Sequence, residues 1–214
     1  MSTARSTRVV PRKPADHARA PQLRGSVIGL IALALLSQSA LTGCVPAVIA
    51  VGAGGAAMVA TDRRSAGAQV DDEGVELKLV TRANELYGDR IHLNAASYNG
   101  VVLLTGEVPD QGIWASLGNL AKNTEKVRAV HNELVVAPNS DLSTRTNDSY
   151  ITSKVKARMV EANKFPPNAV KVVTERSVVY LMGIVTRAEG AAAGETAATT
   201  EGVVRVVKVF EYRA

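Results

Sequence analysis

The residues able to do covalent or acid–base chemistry are few and scattered. The chain has one cysteine, Cys44, and three histidines, His17, His92 and His131. No Cys or His spacing matches a metal-ligand set, and no Gly-x-Ser-x-Gly nucleophile turn is present. The sequence therefore predicts no enzyme, no metal site and no cofactor. The chemistry it offers is that of one thiol and of charged helix faces.

Cys44 ends a segment built like a secretory leader. Six Lys or Arg residues precede an apolar stretch, 27–41, that is too short to cross a bilayer as a helix. The residues Leu41-Thr42-Gly43-Cys44 resemble the bacterial lipobox, in which the thiol is diacylated and becomes the new N-terminus. We predict a signal peptide over 1–43, a lipid on Cys44, and a periplasm-facing anchor.

Cleavage of that leader changes the charge of the protein. The whole chain has 25 Lys and Arg against 20 Asp and Glu, which alone would suggest a nucleic-acid partner. Residues 1–43 carry six of the cations and one acid, Asp16, so 19 of each remain. The mature protein is neutral, and we expect no nucleic-acid partner.

An internal repeat sets the domain organisation. Residues 101–108 align without gaps on 178–185, an offset of 77, and 127–130 align on 204–207. Upstream the offset becomes 76, which pairs Val75 with Ile151. One module is therefore duplicated. We predict a lipidated Gly/Ala-rich tether over 44–70, a first module over 71–137, a linker over 138–147 and a second module over 148–214.

Each module shows the same order of periodicities. In the first, a helix starts after acidic residues 71–73, strands 91–97 and 101–108 flank the turn Asn99-Gly100, and helix 110–126 precedes strand 128–136. The second module repeats this with helix 149–162, strands 169–175 and 178–185, helix 187–200 and strand 203–212. The predicted class is α+β: two tandem α-β-β-α-β modules, each a three-stranded mixed sheet with two helices packed on it.

These residues carry a family resemblance. A glycine near the end of the second strand, Gly106 or Gly183, followed by a polar helix and a Val-x-x-Val strand, looks like the BON domain. Two such domains behind a lipobox resemble the dual BON-domain outer-membrane lipoproteins. The resemblance implies an outer-membrane protein that binds anionic phospholipid through its second domain and supports membrane integrity. Tyr150 departs from the family, which often has Trp there.

The charges of the two modules differ in sign. Residues 71–137 have six cations and ten acids, whereas residues 148–214 have ten cations and seven acids. On the first helix of the second module, Tyr150, Lys154 and Arg158 follow at helical spacing beside an apolar face that includes Ile151 and Val155. An aromatic ring beside cations suits an interface with anionic lipid. The predicted phospholipid-binding residues are Tyr150, Ile151, Lys154, Val155 and Arg158.

Two other functions remain open at this point. The acidic first module or the sheet surfaces could dock an outer-membrane assembly protein, which would make the chain an interaction adaptor. A module for a small periplasmic solute has no pocket signature in the sequence. We interpret Trp114, the sole tryptophan, as a core or interdomain packing residue.

Overall fold

The computed structural model describes residues 62–214, and Cys44 with the leader and most of the tether lies outside them. The first module contains helix α1 (Ala66–Tyr87), strands β1 (His92–Tyr98) and β2 (Val101–Val108), helix α2 (Gln111–Lys122) and strands β3 (Ala129–Asn132) and β4 (Val135–Val136). A single 3-10 turn, Gly88–Arg90, joins α1 to β1.

The second module repeats this order. It contains helix α3 (Leu142–Ala162), a 3-10 turn (Pro167–Ala169), strands β5 (Val170–Glu175) and β6 (Val178–Val185), helix α4 (Arg187–Ala198) and strand β7 (Arg205–Tyr212). The predicted α+β fold of two α-β-β-α-β modules is confirmed.

Both sheets are mixed because a hairpin is followed by a helical crossover. Strand β1 pairs antiparallel with β2 from Tyr98↔Val101 to His92↔Glu107, and β3 and β4 pair parallel with β2. The second sheet has the order β5-β6-β7, again antiparallel and then parallel. Asn99 and Gly100 have positive φ values of 55° and 75°, as the Asn-Gly hairpin prediction requires.

Both first helices begin earlier than the sequence predicts. Helix α1 starts at Ala66 because the Ser65 hydroxyl caps it, accepting a hydrogen bond from the Ala68 N–H at 3.1 Å. Helix α3 starts at Leu142, where the Asp141 carboxylate accepts from the Thr144 N–H at 2.8 Å. Residues 66–70 of the predicted tether and 142–147 of the predicted linker are therefore helical.

The closing strand of the first module is interrupted, although the sequence predicts one strand over 128–136. Between β3 and β4, Leu134 turns into the core with 6% of its surface exposed. Its carbonyl accepts a hydrogen bond from the Trp114 indole N–H at 3.0 Å. Trp114 packs against the first module's core, as predicted.

Each module has its own apolar core between its helices and one sheet face. A third cluster joins the opposite faces of the two sheets. It contains Ala96, Tyr98, Val101 and Leu103 from the first module and Val173, Tyr180, Met182 and Val209 from the second. The two modules therefore pack sheet against sheet, with their helices on the outside.

The chain ahead of each module's first helix contacts the other module. Arg63, ahead of α1, donates to the Ile184 carbonyl on β6 at 2.8 Å. Ser140, ahead of α3, donates through its N–H to the Glu107 carboxylate on β2 at 3.3 Å. Because Ile184 and Glu107 are equivalent in the repeat, the two contacts are reciprocal. None of the helices within 62–214 is long and apolar enough to cross a membrane.

Candidate functional site

The predicted lipid-binding helix, α3, is held by one buried face. Ile151, Val155 and Met159 are 1%, 0% and 1% exposed and belong to the second module's core. A side chain with no exposed surface cannot touch a bilayer while the helix stays packed. The structure therefore removes Ile151 and Val155 from the predicted lipid-contacting residues, and their role is to fix α3 on the sheet.

Tyr150 and Lys154 lie together on α3, the ring exposed and the lysine half-buried with 26% of its side chain accessible. Tyr150 is 61% exposed, and the Lys154 ammonium lies 4.7 Å from the centroid of its ring, within cation–π range. The same ammonium lies 3.8 Å from a carboxylate oxygen of Glu201, which is almost fully exposed. The ring and the cation therefore already lie together at the surface.

Arg158 differs from the other two members of the predicted stripe. Its guanidinium donates to the Thr199 carbonyl and, at 3.2 Å, to the Thr200 hydroxyl. These oxygens lie at the C-terminal end of α4, where a cation is favoured by the helix dipole. Arg158 thus joins α3 to α4, a contact that the sequence does not predict, and its contact with phospholipid stays a prediction. The exposed Lys156, not in the predicted set, has no carboxylate partner among the described residues.

The segment Asp62–Arg64 makes ion pairs within the first module and to the second, although the sequence reads as tether there. Arg63 makes two hydrogen bonds to the Glu189 carboxylate, at 2.6 and 2.7 Å, near the start of α4. This pairing lowers the pKa of Glu189 to about 2. Arg64 pairs with Asp62 and with the buried Asp72, and lies over the ring of Tyr98 at 4.2 Å.

A second polar contact between the modules surrounds Glu107. This fully buried carboxylate accepts hydrogen bonds from Ser140 and from the Arg176 guanidinium at 3.4 Å, and lies 2.9 Å from His92 Nδ1. Burial opposes its ionisation, but the His92 and Ser140 hydrogen bonds bring the pKa of Glu107 below its ordinary value. Glu175 of the second module lies 3.7 Å from the same imidazole nitrogen.

Within residues 62–214, His92, Glu107 and Glu175 are the one group whose potential metal ligands lie within 4.8 Å of one another. Because Glu107 already accepts hydrogen bonds from Ser140 and Arg176, we interpret this group as a polar contact between modules. Burial, together with the charges of Glu107 and Asp148, raises the pKa of Glu175 to about 7.

A cleft of about 490 Å³ opens between the modules beside the C-terminal half of α3. Arg64 and Lys171 line it, but each is already paired with an acid of the first module, Asp72 and Glu76 respectively. Of the cations that line this cleft, only Lys156 is left without a carboxylate partner among residues 62–214.

The sequence missed Arg63 and Glu107 as residues that join the modules and Asp72 as a residue that holds the hairpin turn. Their partners in these contacts lie far away along the chain, so no local pattern marks them. It also missed Arg64, whose acid partners Asp62 and Asp72 are only two and eight residues away. The repeat itself offered one signal: Asp72 aligns with Asp148 at the offset of 76, and each precedes a buried helix residue by three positions. Both acids are buried, at 2% and 4% exposed.

The family model of the BON domain matches this chain twice, at residues 71–138 and 147–214. "Outer membrane lipoprotein DolP" of Haemophilus influenzae (strain ATCC 51907 / DSM 11121 / KW20 / Rd) is 40% identical over 185 residues, which cover 85% of this chain and 95% of the relative. "21 kDa hemolysin" of Actinobacillus pleuropneumoniae is 34% identical over 153 residues, 71% of this chain and 79% of the relative.

Among solved structures, the C-terminal domain of CdsD, a structural protein of the type III secretion system of Chlamydia trachomatis, matches 64% of this chain and 97% of its own. With 9% identity and a TM-score of 0.27, that likeness carries no argument. The relationship to DolP confirms the predicted outer-membrane, lipid-anchored localisation. The chain belongs to the BON-domain family, as a DolP-like protein with two copies of the domain.

Proposed function

We propose that this protein is a non-enzymatic envelope lipoprotein that binds anionic phospholipid through its second BON domain and supports outer-membrane integrity. The observation that carries the proposal is the Tyr150–Lys154 pair, an exposed ring and a cation already in contact on a helix that is packed through its opposite, buried face. An interfacial ring sits at headgroup level, and the neighbouring cation meets lipid phosphate.

The binding helix alone provides modest affinity. Each cation near an anionic surface contributes about 1 kcal/mol, so Lys154 and Lys156 together contribute about 2 kcal/mol. An acyl chain on Cys44 would hold the domain at high effective concentration near the bilayer, where such weak contacts become effective. We propose that Cys44 carries this acyl anchor. Cys44→Ser should block processing and outer-membrane retention, and normal fractionation of that variant would refute the assignment.

The lipid contact is tested with the chain from residue 44 onward carrying Cys44→Ser, so that no acyl chain masks the protein's own affinity. This protein should bind phosphatidylglycerol vesicles and should not bind phosphatidylcholine vesicles. It should dissociate from the phosphatidylglycerol vesicles as the salt concentration is raised and the Debye length falls below about 10 Å. Lys154→Gln with Lys156→Gln should weaken binding about 30-fold, the equivalent of the 2 kcal/mol above.

The matched control neutralises two exposed lysines of the first module, Lys78→Gln with Lys122→Gln, and should bind like the parent protein. Tyr150→Ala should weaken binding with little change in its salt dependence, because it removes interfacial burial and not charge. An equal loss of vesicle affinity in the control and in the α3 variant would contradict a lipid-binding site on α3.

The second candidate is an adaptor that docks an outer-membrane assembly protein. Val70 and Leu77 favour it, because these α1 residues are 68% and 69% exposed and lie seven positions apart, on one side of the helix. Protein-free vesicles separate the two functions, because an adaptor does not bind them. The variant Val70→Ser with Leu77→Ser should lose binding to the partner protein if the adaptor function is correct.

A further inference from the structure

A second aromatic and cationic surface lies at the far end of the second module from Tyr150. We name Arg187, Lys208, Phe210 and Tyr212, together with the exposed Arg213 that follows Tyr212 at the end of β7, the tether-side patch. The Arg187 guanidinium lies 5.2 Å from the centroid of the Tyr212 ring, and the Phe210 ring meets Tyr212 edge-on at 6.1 Å. Tyr212 is 48% exposed.

Two glycines of α4 make room for this surface. A Cβ on Gly190 would lie 3.1 Å from Tyr212 and 3.2 Å from Phe210, and a Cβ on Gly194 would lie 2.4 Å from the Lys208 side chain. The absence of side chains at these two positions lets the aromatic rings and the lysine stem rest directly on α4.

The nearby acids are already paired, which leaves the patch cationic. Glu189 is bound by Arg63, and Glu211 is bound by Arg128 and by the Asn99 side chain. Within residues 62–214, no ion pair to a carboxylate side chain is formed by Arg187, Lys208 or Arg213. Lys154, by contrast, has Glu201 beside it.

The tether-side patch also lies beside the first described residues, which belong to the predicted tether. The Arg63 pair with Glu189 fixes the first described residues to α4 two positions from Arg187. The Tyr150–Lys154 pair lies near Glu201, beyond the other end of the same helix. Since α4 has 12 residues, these two surfaces are separated by about 18 Å along its axis.

We propose that the tether-side patch is a second contact with the anionic bilayer surface, made beside the point where the anchored tether enters the folded protein. The inference rests on the proposed function. It adds that the second module touches lipid at both ends of its α3–α4 layer, the patch providing rings at headgroup level and three cations for lipid phosphate. The charge surplus and the position of the tether together favour a lipid surface as the occupant.

The test uses residues 44–214 carrying Cys44→Ser, which contain no other thiol. Ala188→Cys, next to Arg187 and exposed, then carries a polarity-sensitive fluorophore. Phosphatidylglycerol vesicles should shift its emission to the blue, whereas a label at Lys122→Cys in the first module should not respond. The unlabelled double variant Arg187→Gln with Arg213→Gln should bind these vesicles at least about tenfold more weakly than the parent protein does. The control variant Lys78→Gln with Lys122→Gln should bind them as tightly as the parent protein.

The outcomes separate the two proposals. If the parent protein binds vesicles through Tyr150 and Lys154 while the Ala188→Cys label stays silent and Arg187→Gln with Arg213→Gln binds normally, the patch is overturned and the proposed function stands. If the parent protein does not bind anionic vesicles at all, the proposed function fails and the patch fails with it.

Discussion

Asp72 and Asp148, which the internal repeat aligns, each accept two backbone hydrogen bonds from the turn of their own hairpin. Asp72 accepts from the N–H groups of Asn99 and Gly100 at 2.6 and 2.8 Å. Asp148 accepts from those of Arg176 and Ser177, both at 2.8 Å. A buried carboxylate on the first helix thus satisfies the turn donors in both modules, which joins helix and hairpin.

Removing either carboxylate should destabilise the fold. Asp72→Ala leaves the two half-buried turn N–H groups and the Ser97 hydroxyl without their acceptor and removes one of the two carboxylates that pair with Arg64, so we expect a loss of about 3–5 kcal/mol of unfolding free energy. Asp148→Ala should cost about 2–3 kcal/mol because it orphans fewer donors. Urea denaturation measures both. Asp71→Ala, at an exposed neighbour, should change stability by less than 0.5 kcal/mol or so.

Glu175 should make stability fall as pH rises toward and above neutrality. Its pKa is raised to about 7 in the fold, so the folded protein holds a proton that the unfolded chain releases near its ordinary pKa of 4.5. The stabilisation is fully present below pH 4.5 and lost as pH rises through 7. Glu175→Gln should remove this slope, and should be more stable than the parent protein at pH 8 by on the order of 2 kcal/mol.

Thermal unfolding between pH 5 and pH 8 measures that difference. The groups with lowered pKa values, such as Glu189 and Asp72, lose their contribution only as pH falls through the acidic range, so they do not change the stability within this window. A parent protein with flat stability from pH 5 to 8 would show that Glu175 is solvated more than its burial suggests.

Gly106 should tolerate no side chain, whereas Gly74 should benefit from one. Gly106 has a φ of 115°, and a Cβ there would lie 2.0 Å from the His92 carbonyl oxygen across the hairpin. Gly106→Ala should therefore cost about 3 kcal/mol or more, through backbone strain and a broken strand pair. Gly74 lies inside α1 with nothing within 4 Å of a Cβ, so Gly74→Ala should stabilise by about 0.5–1 kcal/mol. Chemical denaturation should show a lower unfolding free energy than the parent protein's for Gly106→Ala and a higher one for Gly74→Ala. Changes of the same sign would contradict this geometry.

The Arg63–Glu189 pair should show a measurable coupling energy. Both side chains are largely buried, at 18% and 16% exposed, and the two hydrogen bonds are charge-assisted. A double-mutant cycle with Arg63→Ala and Glu189→Ala should give about 1–2 kcal/mol. Glu189→Ala also removes the hydrogen bond that the Thr186 N–H donates to Glu189 at the start of α4. This loss occurs in both the single and the double variant, so the cycle subtracts it from the coupling energy.

The matched control is Arg82 and Glu85, a pair on α1 that is more than half exposed, where a coupling near 0.3 kcal/mol is expected. Equal coupling energies in the two cycles would mean that Arg63 and Glu189 are not paired when the protein is in solution. In that case Arg63 would not hold the predicted tether against α4. The position of the tether would then no longer support a lipid contact at the tether-side patch.

The elements that the sequence predicts well are those determined by neighbouring residues. The Asn99-Gly100 turn and the buried positions Ile151 and Val155 on α3 follow from local turn chemistry and helical periodicity. The domain order follows from the repeat. The helix starts were missed because Ser65 and Asp141 lie in polar stretches that read as linker, with no apolar period yet begun.

The part of the site that escaped prediction depends on distant partners. Arg158 reads as a surface cation because its acceptor, Thr199, lies 41 residues further on. Arg63 reads as tether because Glu189 lies 126 residues away. The Arg63 contact exists only once the two modules are packed together, and the Arg158 contact only once α3 is packed beside α4. Periodicity along one helix contains no information on either packing.

The reciprocal crossing of the segments ahead of α1 and α3 also has a consequence for how the protein assembles. Two separate single modules could make the same sheet-to-sheet contact only as a symmetric dimer, whose population would fall on dilution. Residues 138–141 join the pair covalently, so the association becomes intramolecular and independent of protein concentration. The protein thereby keeps Tyr98 and Leu103 covered at any concentration. A module cut away from its partner would expose that sheet face and pair with another copy of itself.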